Sequence, residues 1–456
     1  MYTLSNKVKL FAIVFMVLGA IGMGVGFMTA PSTTEEVKEM LAAHGDDHGE
    51  GHGESATHGD TAAHDGATEA HGGDHAEGGH GSEAEHLEHT LHQMQNRPWS
   101  ALYIASFFFF MIALGTLAFY GIQHASQAGW SPVLFRVMEG ITAYLPVASV
   151  IIVVLLLLST FHVNHIFHWM DPELVDPESD HYDKLIAGKS GYLNTTFFLI
   201  RAVIYLLGWN AYRFLSRKYL LNNDDAEDNT WFKKNFKLSA GFLVFFIVTE
   251  SMMSWDWIMS FDPHWFSTLF GWYVFAGMMV SAITVIAMVT IYLKSQGYLE
   301  VVNDSHIHDL AKFMFGFSIF WTYLWFSQFM LIWYSNIPEE VTYFVTRIED
   351  YNMPFFGMVV LNFVFPVLMP MNSDFKRVNW FVIMTGIVIL IGHYIDVFNM
   401  VMPATVGVSW GIGLPEIGAL MFFLGLFVFV VFTALTKAPL VVKRHPFLKE
   451  SKLFHY

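Results

Sequence analysis

Cysteine is absent from the 456 residues. That excludes disulfides, thiolate zinc sites, cysteine-ligated iron–sulfur clusters and covalently attached c-type haem. Electron chemistry in this chain would therefore need a quinone or a histidine-held haem. Charge is scarce too: 14% of residues are charged, where a soluble protein carries roughly a quarter. The formal charge of −16 is also local. Fifteen acidic residues and one lysine lie between Glu35 and Glu88, giving −14 and leaving −2 for the rest. The acidity belongs to one segment, and no basic tract points to a nucleic-acid partner.

What the chain has is apolar length, with 54% hydrophobic and 17% aromatic residues. A bilayer-crossing helix needs about 20 apolar residues. Ten runs qualify: Val8–Thr29, Trp99–Gln123, Phe135–Phe161, Tyr192–Leu215, Phe236–Trp257, Trp265–Leu293, Ile307–Tyr334, Met353–Met371, Val378–Met400 and Gly413–Leu435. The expected fold is all-α, a polytopic protein of ten transmembrane helices. Spans two to five and six to nine form two four-helix units of like orientation, flanked by the first and last helices. The boundaries divide the chain into a first helix (1–30), an acidic His-rich loop (31–97), a nine-helix membrane domain (98–436) and a tail (437–456). Met28-Thr29-Ala30 is a poor cleavage site and the first run is long for a signal peptide, so it is expected to stay as an anchor.

Lys and Arg set the orientation. Lys7 and Lys9, the group from Arg213 to Lys237, Lys376 and Arg377, and the basic tail after Leu435 all fall on one side if both termini are cytoplasmic. The other loops carry Asp171, Glu173, Asp176, Glu178, Asp262, Glu339 and Glu340. The His-rich loop is then expected on the opposite, non-cytoplasmic side of the membrane. Half of the 22 histidines lie between Ala43 and His92. They have no fixed ligand spacing, so a solvated spacer is the expectation there and no metal site is assigned.

The stretch Thr249–Phe266 concentrates the chemistry. Glu250 lies inside an apolar run, Asp256 and Asp262 follow it, and Pro263 ends the helix. Trp255, Trp257 and Trp265 crowd the same boundary and read as an interfacial aromatic belt. Arg201 sits near mid-membrane and needs an acidic partner, with Glu250, Asp256, Asp396 and Glu416 as the candidates. Arg136 and Glu139 are helical neighbours, as are His393 and Asp396, which form a proton-sharing pair or a place for a quinol hydroxyl. Asp309 and Lys312 open the seventh span. His162, His165 and His168 read as a polar cap at a span end. Acids and cations thus enter from both faces, as a proton relay requires. The plain alternative is that the charges pair only to fix helix packing.

Several segments resemble the F subunit of alternative complex III, a bacterial quinol-oxidising respiratory complex. They are Lys189-Ser-Gly-Tyr-Leu-Asn194 with Phe197-Phe-Leu-Ile-Arg201, Ser254-Trp-Asp-Trp-Ile-Met-Ser-Phe-Asp-Pro-His264, Phe320-Trp-Thr-Tyr-Leu-Trp-Phe-Ser-Gln-Phe329 and Trp333-Tyr-Ser-Asn-Ile-Pro-Glu-Glu340. The resemblance implies the polysulfide-reductase-type membrane subunit family. It also implies a homologous membrane subunit, an iron–sulfur subunit and multihaem cytochrome c subunits as partners, with a terminal oxidase as a further one. The haems and clusters would sit in those partners. This chain would hold no covalent cofactor, with menaquinone or another quinone the one candidate ligand. The rival readings are a quinone-binding subunit of the same complex and an independent secondary transporter or metal-ion carrier.

The orientation has a direct test. A cysteine introduced at Gly72 is expected to react with an impermeant thiol reagent from the periplasm, and one at Asp225 is not; reversed labelling overturns every side assignment above.

Overall fold

The structure, a computed structural model, describes residues 2–45, 79–368 and 375–455. Most of the His-rich segment, including His48, His52, His58 and Gly72, lies outside these residues, as does Met369–Met371 at the end of the eighth run. Every element among the described residues is helical. The membrane-length helices are α1 (Asn6–Met28), α2 (Gly79–Ala125), α3 (Pro132–Thr160), α4 (Thr195–Asp225), α5 (Thr230–Trp257), α6 (Phe270–Ser295), α7 (Asp304–Ser335), α8 (Asn352–Leu368), α9 (Asn379–Thr405) and α10 (Leu414–Leu435). Eight are long and apolar enough to cross a membrane, and α8 makes nine when joined to the short helix Pro338–Glu349, from which it bends by 92°. The remaining helix, α4, has 31 residues, but Arg201, Asn210 and Arg213 interrupt its apolar run.

Two four-helix units emerge from the packing. The first helix of each, α2 and α6, packs on its own second and fourth helices and on the other unit's fourth; α2 and α6 also pack on each other. Both lie almost wholly inside the protein. Near-continuous apolar sequence is what a helix surrounded by helices requires. Gly115 lets the two close up, since a Cβ there would come within 2.7 Å of Met278.

The N-terminal and C-terminal segments share one end of the bundle. Thr3 meets Tyr298 after α6, at 3.2 Å between hydroxyls, and Ser451 donates to the carbonyl of Trp130 between α2 and α3 at 2.6 Å. We call this the terminal end and its opposite the far end.

Local chemistry sets most boundaries. Asn194 caps α4 by accepting from the Phe197 N–H at 2.9 Å, and Asn303 caps α7. Beyond Trp257 a 3-10 turn, Met259–Phe261, leads into Asp262-Pro263. Four features differ from the sequence reading. The second span was expected to begin at Trp99, but α2 starts well before it and runs through Pro98; the loss of one backbone hydrogen bond, about 3 kcal/mol, is outweighed by the buried run that follows. The span at α3 is divided at Ala143–Tyr144, ahead of Pro146. α8 contains a π turn, Val360–Val364, next to Pro366. Trp257 and Trp265 do not form an interfacial belt: they are 0% and 2% exposed. Trp257 packs on Phe110 and Trp209, and Trp265 stacks on Tyr343 at 3.9 Å, because the chain turns back into the bundle there.

α1 docks almost entirely on α10 through backbone contact at small residues. A Cβ at Gly19 would lie 2.3 Å from the Phe422 nitrogen, and one at Gly418 would lie 2.7 Å from that of Met23. Gly418→Leu is therefore expected to destabilise the α1–α10 pair by about 1–3 kcal/mol, read as a lower Tm in detergent. Gly24→Leu is the control, with nothing within 4 Å of the added atom, and is expected to leave Tm unchanged.

Candidate functional site

The far end of the first unit is built on one charge pair. Arg201 of α4 donates from Nε to Asp256 Oδ2 at 2.7 Å and from Nη2 to Oδ1 at 2.8 Å. Its third nitrogen, Nη1, donates to the Tyr192 carbonyl at 3.0 Å. The rings of Tyr192 and Phe197 lie 3.9 and 4.3 Å from the guanidinium carbon. Tyr205 donates its hydroxyl to Asp256 at 3.0 Å. Of the four candidate partners for Arg201, the structure selects Asp256. A cleft of about 270 Å³ opens beside this pair, lined by Tyr192, Trp255, Trp265 and Lys189 among others. Burial lowers the Lys189 ammonium from its ordinary range, with Asp262 and Asp183 opposing.

Glu250 stands apart. It is buried on α5 at about 9 Å from Asp256 along the helix, at 1.5 Å per residue. It has no cation within ion-pair distance among the described residues, and its Oε1 has no hydrogen-bond partner. Next to it, Thr249 accepts from Trp209 Nε1 at 3.0 Å.

In the second unit, α9 carries His393 and Asp396, both buried, with Nδ1 and Oδ2 3.5 Å apart. The two are neighbours, as their spacing predicts, but neither ring nitrogen of His393 has a hydrogen-bond partner and the hydrogen bonds to Asp396 come from elsewhere. Trp321 of α7 donates from Nε1 to Oδ2 at 2.9 Å, and Tyr273 of α6 donates its hydroxyl to Oδ1. Asn362, in the π turn of α8, is fully buried with both amide atoms unpartnered. Gly392 makes room for it, since a Cβ there would meet its Oδ1 at 2.1 Å. Placement of a π turn at a buried polar residue fits the frequent occurrence of such turns at functional sites.

The terminal end of the first unit holds a larger cluster. Arg136 Nη1 donates to Glu139 Oε2 at 2.7 Å and its Nη2 to Asp224 Oδ2 at 2.5 Å. Arg217 reaches Glu139 at 3.2 Å, and Tyr120 lies 3.4 Å from its other oxygen. Ser216 donates to Asn235 at 2.7 Å, and Tyr212 meets Ser239 at the same distance. The C-terminal tail closes over this cluster, donating the Lys443 N–H to Asp224 at 2.9 Å. Burial among Phe135, Phe232 and Phe447 pushes the His445 imidazole down to about 4, and Asp224 opposes the shift. Asp309 and Lys312 pair at 3.4 Å at the terminal end of the second unit.

Between the polar sets of the first unit lies an apolar layer. Ser239 and Thr249 are about 15 Å apart along α5, with Phe242 and Phe246 buried between them. Tyr212 stacks on Phe242 at 3.8 Å. Glu416 belongs to neither set: it caps α10 through the Gly413 N–H at 2.7 Å and pairs with Arg97 at 2.8 Å. His162 ends α3 with a positive φ of 55°, so the three histidines of that segment do not share a helix face. Among the described residues no group of three or more His, Cys, Asp or Glu side chains is placed to hold a metal.

Tyr273, Trp321, Tyr205, Asp224 and Arg97 were not anticipated as partners. Trp321 and Tyr205 look like ordinary span aromatics, Asp224 like a loop acid, and Arg97 like a residue ahead of its span. No protein-family model and no curated protein matches the chain, so these groups are interpreted from their own chemistry.

The Arg201–Asp256 pair yields a compensation test. Arg201→Met or Asp256→Asn alone leaves a buried group without its partner, a loss of about 3–5 kcal/mol, seen as reduced thermal stability or lost assembly. The double variant is expected to recover most of it. Glu250→Gln is expected to give Arg201→Met no recovery.

Proposed function

We propose that the chain is a membrane subunit of a respiratory quinol:electron acceptor oxidoreductase of the alternative complex III type, contributing groups to a transmembrane proton route. Membership of such a complex is supported by the segments around Lys189–Asn194, Ser254–His264 and Phe320–Glu340 that resemble the F subunit. The partners on this reading are a homologous membrane subunit, an iron–sulfur subunit and multihaem cytochromes, in a bacterial cytoplasmic membrane with both termini inside.

The observation that carries the proton role is Glu250. An acid tied to arginine, like Asp256, cannot change its charge without breaking a buried pair, which is costly. Glu250 has no such tie, so gaining or losing a proton breaks no ion pair, and the charge left on release has to be met by dipoles or water that enter the bundle. Asp396, held by a hydroxyl and an indole rather than by a guanidinium, is the corresponding acid of the second unit. Ionisable groups inside membrane bundles commonly mark proton relays. The pairs Arg201–Asp256, Arg136–Glu139–Asp224 and Arg97–Glu416 then serve as the fixed frame. The apolar layer around Phe242 and Phe246 separates the two polar sets, and a route needs such a barrier if it is not to leak. We do not assign quinone to His393 and Asp396: both are enclosed, and Asp396 already has each oxygen engaged.

Purification of the native assembly tests the proposal. The chain is expected to come down with subunits that stain for haem and contain iron, in a preparation that oxidises quinol. Isolation as a stable single protein that moves ions without such partners would favour the secondary-transporter reading instead.

A further inference from the structure

Arg347 is a buried cation that the pairs above leave out. It lies on the short helix Pro338–Glu349 at the far end, is 4% exposed, and has no carboxylate within ion-pair distance among the described residues. Its Nε donates to the Asn399 carbonyl at 3.1 Å and its Nη1 to that of Tyr343 at 2.7 Å. The Tyr343 ring covers it at 3.3 Å, backed by Trp265. A guanidinium has five N–H donors, and these two carbonyls take two of them.

Beside Arg347 is a small cavity of about 10 Å³, lined also by Gln328, Asn399 and Tyr273. That is about the space one water needs. Two of the lining groups are buried and incomplete in opposite senses. Gln328 Nε2 is a donor with no acceptor, and Asn399 Oδ1 is an acceptor with no donor. The Asn399 amide cannot turn to help: its Nδ2 is held by the Pro354 carbonyl at 3.0 Å and by Met358 Sδ at 3.2 Å. Buried polar groups in native proteins are nearly always satisfied, by protein or by water.

We propose that this cavity is a binding site for one ordered water, which accepts from Gln328 Nε2, donates to Asn399 Oδ1 and turns its oxygen towards the Arg347 guanidinium. One molecule gives a partner to each of these two amide atoms and adds a dipole beside a cation that no carboxylate neutralises. Tyr273 lines the same cavity and donates to Asp396, so the water adjoins the acid of the second unit. A role for that water in proton exit at the far end rests on the functional reading above; the site itself does not.

A cryo-electron microscopy map of the native assembly, at a resolution that shows waters, tests the site. Density within hydrogen-bond distance of both Gln328 Nε2 and Asn399 Oδ1 is expected. An empty cavity, or Gln328 turned to donate directly to Asn399 Oδ1, overturns the proposal. The Gln328→Leu variant, which keeps the bulk and loses the amide, is expected to lose the density. Proton uptake by the same variant separates the two claims. Water lost with uptake unchanged upholds the site and removes this branch from the proposed route, whereas a dry cavity in the unaltered protein overturns the site alone.

Discussion

A charge inside a helical membrane bundle has to find its counter-charge or a set of dipoles there, because bilayer and apolar core supply neither. The Arg201–Asp256 pair shows what that constraint does to this fold. The bidentate contact fixes the rotation of α4 against α5 and sets the depth of each, and Tyr205 adds a third point from the same helix. At the other end of α4, Asp224 and Arg217 join Arg136 and Glu139 of α3. The first unit is thus locked at both ends by buried charge, with aromatic packing between. Such pairs contribute little net stability against apolar replacements, yet removing one partner is strongly destabilising. Their value here is in specifying a single register.

The two units share a packing plan but not a charge plan. In the second, Asp396 is reached by Tyr273 and Trp321, neither of which carries a compensating charge. A buried arginine of that unit, Arg347, meets carbonyls and a tyrosine face but no carboxylate among the described residues. Among the buried acids of the far halves, the first unit therefore combines one arginine-bound acid, Asp256, with one unpaired acid, Glu250, whereas the second has Asp396. This asymmetry is why the proposed proton role rests on Glu250 and Asp396 and not on the acids that bind arginine.

The helical plan was legible because its signals are local. Apolar runs of spanning length are visible in one stretch of chain. So was the Arg136–Glu139 contact, which lies within one helix at a fixed spacing. Contacts across helices were not legible, since they depend on rotations that no single segment encodes. The sequence required Arg201 to have an acid but left four candidates open. Glu416 was grouped with the relay although its partner, Arg97, sits 319 positions away. The tryptophans at the end of α5 misled for a related reason: composition placed them at a membrane boundary, while the turn after Trp257 folds them inward. Arg347 drew no notice, because an arginine in a far-end segment is ordinary until its burial is known.

The most direct measurement is the number of protons translocated per electron by the intact assembly in sealed vesicles during quinol oxidation. The account expects Glu250→Gln and Asp396→Asn each to lower that ratio while electron transfer and assembly persist. An unchanged ratio in fully assembled Glu250→Gln and Asp396→Asn proteins would contradict it and leave the buried acids as parts of the scaffold.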